Sequence, residues 1–347
     1  MALPYLTADV PGTGGRLRDA CEDFVVEEVP AYLPSGTGDH VFVWIEKRDV
    51  TTPVAAALLA EAVGARARDV GWAGMKDKRA VARQWLSLPP PVTPEQALAA
   101  RVDGVTVLEA RRHGNKLKTG HLRANLFVLQ VRGVRNPDEA AARATRVLGA
   151  LSEPPGALNW YGEQRFGRDG DNAARGRAVL DGSLRVHDKE KRMLISALQS
   201  ELFNEWLRRR VADGLVRRVI EGDWLEKTAT GGSFSTTDPA TDLARVGAGE
   251  IVVTGPMYGW KLRGSPAGTE AAAREAAVLA DAGLTLESFR PAGDLAPGTR
   301  RPIAIAITDA TCTPSGEDSI VVRFTLPSGA YATAVMREIM KPETDPC

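Results

Sequence analysis

The spacing of apolar and polar positions predicts most of the elements of this chain. Residues 40–47, HVFVWIEK, are rich in β-branched and aromatic side chains and predict a strand. Thr51 and Thr52 then offer helix caps and Pro53 suits a first helical position, so the Ala- and Leu-rich run 53–68 predicts a helix. Residues 124–132, ANLFVLQVR, predict a second strand, with Asn125, Phe127, Leu129 and Val131 on one face. The clearest helical pattern is 189–211, where Leu194, Leu198, Leu202 and Trp206 recur every four residues with charges between them. Residues 270–283 predict a further helix. Near the end, 319–326 predicts a strand, Pro327-Ser328-Gly329 breaks it, and 330–341 predicts a closing helix.

Proline-rich stretches at 88–95, 152–158 and 290–299 are candidate linkers. The second and third enclose a mixed middle block, with strands on either side of it, a pattern that fits an inserted domain. The 347 residues suffice for two domains or one large one. At 44% apolar and 25% charged, the chain is neither disordered, collagen-like nor a disulfide scaffold. The three cysteines, Cys21, Cys312 and Cys347, are far apart and form no C-x-x-C, so no disulfide framework or zinc site is expected. The N-terminus has no signal-peptide pattern, and no run approaches a membrane span. A reducing cytoplasm is the expected setting.

Several chemistries drop out. His40, His113, His121 and His187 show no ligand spacing, so no metal is expected; His113 and His121 read instead as polar or RNA-contacting residues. There is no P-loop, no Rossmann fingerprint in its strand–turn–helix context and no serine elbow. Lys and Arg total 44, as do Asp and Glu, which argues against a wholly basic nucleic-acid binder. Local charge is less even. Between Ala110 and Pro137 there is no acidic residue, while Arg111, Arg112, Lys116, Lys118, Arg123, Arg132 and Arg135 give a net +7. Arg208, Arg209, Arg210, Arg217 and Arg218 form a second basic group. These are either solvated surface or, if they line one cleft, a means of holding a structured RNA.

In Gly74-Met75-Lys76-Asp77-Lys78-Arg79-Ala80, Asp77 sits among cations on a short turn. Nearby positive charge favours a carboxylate, which can serve as nucleophile or base. On composition alone a surface ion-pair cluster is the favoured reading.

At this point the sequence resembles the TruD family of pseudouridine synthases. GMKDKRAVARQW (74–85) is similar to the family's G-x-K-D-K/R-x-A-x-T-x-Q motif, with Asp77 at the catalytic position. EDFVVEE (22–28), GHLRANLFVLQVRG (120–133), NWYGEQRFG (159–167), LISALQSELFN (194–204) and FTLPSGAYATAVMREIM (324–340) resemble five further family motifs, in order. Ala82 replaces a usual Thr, Ala124 a usual Gly, Arg18 stands where Lys is common and Tyr331 where Phe is common; Trp160 and Tyr161 replace Tyr and Phe.

The resemblance implies an α/β (α+β) chain: a pseudouridine-synthase catalytic fold with a mixed sheet, plus an inserted α/β TRUD domain. The expected boundaries are 1–158 and 304–347 for the catalytic domain and 159–303 for the insertion. It implies isomerisation of uridine, at position 13 of certain tRNAs, to pseudouridine, with Asp77 catalytic and Phe24, Asn125 and Tyr331 binding substrate. Arg337 is a candidate partner for Asp77, or else forms a helix-surface ion pair, and Gln164, Arg165 and Phe166 organise a domain junction or contact RNA. No cofactor, metal or membrane is implied; the partner is tRNA and the protein a monomer. The alternative is a non-catalytic tRNA-binding or RNA-folding protein that retains the cleft, against which an intact Asp77 argues.

Overall fold

The computed structural model describes residues 3–341; Cys347 lies outside the described residues. Contacts divide these residues into two compact units. One comprises residues 3–9, 150–306 and 333–338, the other 10–149, 307–332 and 339–341.

The second unit carries Asp77 and is built on a nine-stranded mixed sheet. In chain order its first strands are β1 (Arg16–Leu17), β2 (Phe24–Pro30), β3 (His40–Arg48), β4 (Gly71–Trp72), β5 (Val81–Leu88), β6 (Val105–His113) and β7 (Leu122–Arg132). Strands Thr308–Pro314 and Ser319–Pro327 complete it. The order runs from Thr308–Pro314 through Ser319–Pro327, β7, β2, β5 and β3 to β6, with β1 on β7 and β4 on β5. Among the described residues of this sheet, only β2 and β5 pair in parallel. Helix α1 (Thr52–Ala62) packs Ala55, Ala56 and Leu59 against Val41, Val43, Ile45 and Leu86 of the sheet.

Register across the central strands defines the surface that matters for chemistry. Residues opposite one another in a ladder share a face. Lys47 is opposite Ala82, Ala82 beside Val26, Val26 opposite Phe127 and Phe127 opposite Phe324. Two residues along, Ile45 is opposite Gln84, and Glu28 is opposite Asn125, which is opposite Leu326. One face therefore carries apolar residues together with Lys47, Gln84, Glu28 and Asn125.

The predicted helix over 53–68 ends at Ala62 because Gly64 adopts φ +70° in the left-handed region. Thr51 caps it, its side chain accepting from the Val54 N–H. Residues 88–95 finish β5 and lead into the Thr93-capped helix Pro94–Ala99, so they connect elements within one unit. Residues 290–299 likewise belong to a 3-10 segment, Leu286–Leu295, and the start of strand Thr299–Pro302.

The other unit packs helices Asn172–Leu180, Asp188–Ala212, Pro239–Gly247 and Glu270–Asp281 with a four-stranded antiparallel sheet. Leu194, Leu198, Leu202 and Trp206 enter its core with Phe203, Leu225, Val253 and Phe289. No described helix is long and apolar enough to cross a membrane.

The connection between β6 and β7 lies close over β4. A Cβ added to buried Gly71 would lie 2.2 Å from the Leu117 carbonyl oxygen. The Leu117 N–H donates to Ser87 Oγ at 2.9 Å and the Gly120 N–H to the Ala73 carbonyl at 2.9 Å. Gly71→Ala is therefore expected to lower stability by about 1–3 kcal/mol through overpacking. A urea melt should show this, with faster proteolysis in 114–121 as its local sign.

Candidate active site

The turn from Gly74 to Asp77 is held over this sheet face by buried polar groups. Thr52, fully buried at the start of α1, accepts from the Lys76 N–H at 3.0 Å and donates to Gln84 Oε1 at 2.8 Å. Gln84 Nε2 in turn donates to the Gly74 carbonyl at 3.2 Å. Lys76 turns inward, and its Nζ meets Glu28 Oε2 at 2.8 Å with both side chains almost wholly buried. The other Glu28 oxygen accepts from the Trp85 N–H. Burial raises the Glu28 carboxyl above its ordinary value, and the Lys76 charge opposes that rise. Lys47 Nζ donates to the Asp77 carbonyl at 2.6 Å and to that of Val50 at 2.7 Å.

With the backbone fixed in this way, two side chains point outward. Met75 is 74% exposed, and the Asp77 side chain is 53% exposed. The Asp77 carboxylate accepts from Arg18 Nη2 at 2.5 Å. Arg18 has φ +69°, an uncommon value for a non-glycine residue, and its carbonyl accepts from Arg79. Its guanidinium carbon stacks 3.9 Å from the centre of the Phe24 ring. Phe24 is therefore buried, edge-on to Phe127 and covered by Arg18, rather than an open aromatic wall.

Asn125 lies on β7 opposite Glu28, the residue that holds Lys76. Its Oδ1 is buried and has no hydrogen-bond partner among the described residues. A buried acceptor left in this way costs about 1–3 kcal/mol. Tyr331 is 52% exposed, in the turn after strand Ser319–Pro327, whose last residues pair with Asn125 and Ala124.

Arg337 is not the partner of Asp77. Its guanidinium donates to the carbonyls of Leu3 and Pro4 and lies over the Tyr5 ring, with Glu338 3.8 Å away. The basic groups also divide differently from the sequence expectation. Arg111 pairs with Glu109, Arg112 donates to Gly38, Lys116 to the Arg68 carbonyl, and Arg132 pairs with Asp23. Lys118 and Arg123 remain exposed, with no ion-pair partner among the described residues. Arg208 and Arg209 both bind Glu205, and Arg210 is buried in a two-pronged pair with Asp223. Here the arginines are largely committed to the unit's own structure. Two of the histidines are packed too: His121 Nδ1 is 2.6 Å from the Tyr32 hydroxyl, and His113 stacks on the Tyr32 ring. Among the described residues no cluster of three His, Cys, Asp or Glu is arranged to hold a metal.

Comparison with known proteins places this geometry in context. The family model for tRNA pseudouridine synthase D (TruD) matches residues 1–186 and 173–339. The chain is 47% identical to a tRNA pseudouridine synthase D of Anaeromyxobacter sp., strain Fw109-5, covering 99% of this chain and 98% of that one. It belongs to the TruD family. A tRNA pseudouridine synthase D of Thermus thermophilus is 44% identical over 98% of this chain and 92% of its own length. A crystal structure from Methanosarcina mazei, described as a candidate tRNA pseudouridine synthase D, matches with TM-score 0.80 at 23% identity, over 97% of this chain and 96% of that one, and shows the same fold.

Some of the TruD motifs are structural in this chain. In the NWYGEQRFG segment, Arg165 donates to Ser196 and Ser200 of helix Asp188–Ala212. Asn204 of the same helix accepts from the Tyr161 N–H and donates to its carbonyl. The sequence reading missed Lys47, although the pattern offered a signal: Val41, Val43, Ile45 and Lys47 alternate along β3, placing a charge on an apolar face.

The Lys76–Glu28 pair gives a stability prediction. Lys76→Ala strands a buried carboxylate and is expected to cost about 3–5 kcal/mol. Lys76→Met combined with Glu28→Leu is expected to recover most of that loss in denaturant melts, because neither charge is then left alone.

Proposed function

We propose that this TruD protein isomerises uridine to pseudouridine in tRNA, at position 13 in the D-arm region, with Asp77 as the reacting carboxylate. The observation that carries this reading is a half-exposed carboxylate on a turn whose backbone is locked from below, in a chain that the family model for tRNA pseudouridine synthase D matches along nearly its whole length. The N1–C1′ bond breaks, the uracil turns, a C5–C1′ bond forms, and C5 loses its proton while N1 gains one. Substrate and product have the same atoms and oxidation level, so the reaction balances without a cofactor or metal. It needs a fixed carboxylate next to the ribose and uracil, and a hold on the detached base. Asp77 supplies the first, either by attack on C1′ or by taking a proton from the sugar. The Arg18 ion pair keeps a cation on the carboxylate until the substrate's own atoms take its place.

The target base leaves its stack at a cost of about a few kcal/mol. Stacking on an aromatic returns roughly 1–3 kcal/mol per base, and Tyr331, already exposed, is suited to it. Phe24 serves once Arg18 moves off its face. Asn125 Oδ1 accepts from an imide N–H or a ribose hydroxyl. In this reading residues 1–158 and 304–347 form the catalytic domain and 159–303 the TRUD insertion of a cytoplasmic monomer.

An assay on a tRNA transcript tests this. The native chain is expected to form pseudouridine and Asp77→Ala to form none while still binding the transcript; full conversion by the variant rejects Asp77. Lys118→Ala with Arg123→Ala is expected to weaken tRNA binding and to reduce the slope of log affinity against log salt by roughly 1–2. An unchanged slope would mean that neither residue meets a phosphate.

A further inference from the structure

Lys47 is a feature beneath the site that packing alone does not explain. It is fully buried, at the position of β3 opposite Ala82. Among the described residues no carboxylate pairs with it; its Nζ donates only to the backbone carbonyls of Asp77 and Val50. An unpaired buried cation is unfavourable, and a neutral side chain of similar volume would remove that penalty. Lys47 nevertheless occupies the position from which one ammonium reaches the carbonyl of the residue that carries the exposed carboxylate. Other partners hold Gly74 and Lys76, and Arg18 holds the Asp77 carboxylate, while the contact to the Asp77 backbone carbonyl comes from Lys47.

We propose that protonated Lys47 is a positioning residue for Asp77: its ammonium fixes the Asp77 backbone, and activity requires that proton to stay in place. The proposal rests on the reading of Asp77 as the reacting carboxylate. The charged groups that act on Lys47 come from several elements. Asp77 and Lys76 lie on the turn between β4 and β5, Cys21 on the turn Cys21–Asp23, and Asp49 just beyond β3. Burial pulls the Lys47 ammonium down to about 8, against the pull of the Asp77 charge; Lys76 lowers it further, while Cys21 and Asp49 oppose. In the unfolded chain the proton stays on up to the ordinary lysine value of 10.5. Between about pH 8 and 10.5 the unfolded state therefore binds more protons, and this group's contribution to folding stability rises with pH. Activity is expected to move the other way, because deprotonation removes both the charge and one of the three donors.

This opposition is the test. In single-turnover reactions with a tRNA transcript, the wild-type rate is expected to fall as pH rises through about 8 while the melting temperature does not fall. Lys47→Met is expected to lower the rate about 100-fold at pH 7, the scale of a misplaced reacting group, with KM little changed and the alkaline limb absent. Lys47→Arg, which keeps its charge throughout this range, is expected to restore part of the rate and move the limb upward. Should Lys47→Met fail to fold, a 13Cε-lysine NMR titration of the wild-type protein decides, with one lysine expected to titrate near 8. A wild-type rate that is flat to about pH 9.5, no lysine titrating below about 10, or a folded Lys47→Met with native rate and the same limb would each overturn the proposal. If Asp77→Ala is inactive while Lys47→Met is not, only the role of Lys47 fails. If Asp77→Ala is fully active, the reading of Asp77 fails with it.

Discussion

Polar groups buried on a sheet face must find partners, and in this chain they find them in the turn that presents Asp77. Thr52, Gln84, Glu28 and Lys47 each come from a different part of the sequence, and each is satisfied by Gly74, Lys76 or Asp77. The turn has few apolar contacts of its own to order it. Its rigidity comes from the cost of leaving any one of those groups unpaired. The parallel pairing of β2 with β5 brings Glu28 within reach of Lys76, and the antiparallel pairing of β3 with β5 brings Lys47 under Asp77. Sheet topology and site geometry are thus the same constraint seen at two scales.

Much of this was legible in the sequence. The strands at 40–47 and 319–326 and the helix over 189–211 follow from periodicity and agree with the observed elements within a residue or two. The motif around Asp77 could be read as a family pattern, and it lies where a carboxylate is held and exposed. Partnership was not legible. Arg18 appeared only as a departure from the usual Lys, yet it holds the Asp77 carboxylate and covers Phe24. Arg337, a close neighbour in motif space, binds the chain near Leu3 and Pro4 instead. Residue types and spacing specify which groups exist; register specifies which of them meet.

The balance of 44 basic and 44 acidic residues takes on a different sense at this level. Both arginine-rich stretches looked like electrostatic footprints when counted along the chain. In the fold most of their members neutralise a carboxylate or cap a carbonyl, as Arg210 does with Asp223, Arg218 and Leu215. Lys118, between β6 and β7, and Arg123, on β7, stand exposed without an ion-pair partner among the described residues.

The long ladder between β7 and Ser319–Pro327 has a consequence during synthesis. Gln130 and Ser319, whose side chains are hydrogen-bonded across it, are 189 residues apart. At ordinary translation rates the ribosome needs on the order of 10–40 s to span that interval. Throughout it, one edge of β7 has no partner, while the opposite edge can already pair with β2. Residues 158–304, which carry the buried core of the other unit, emerge in that interval. The nascent chain thus carries an open sheet edge that is closed only when Ser319–Pro327 has emerged.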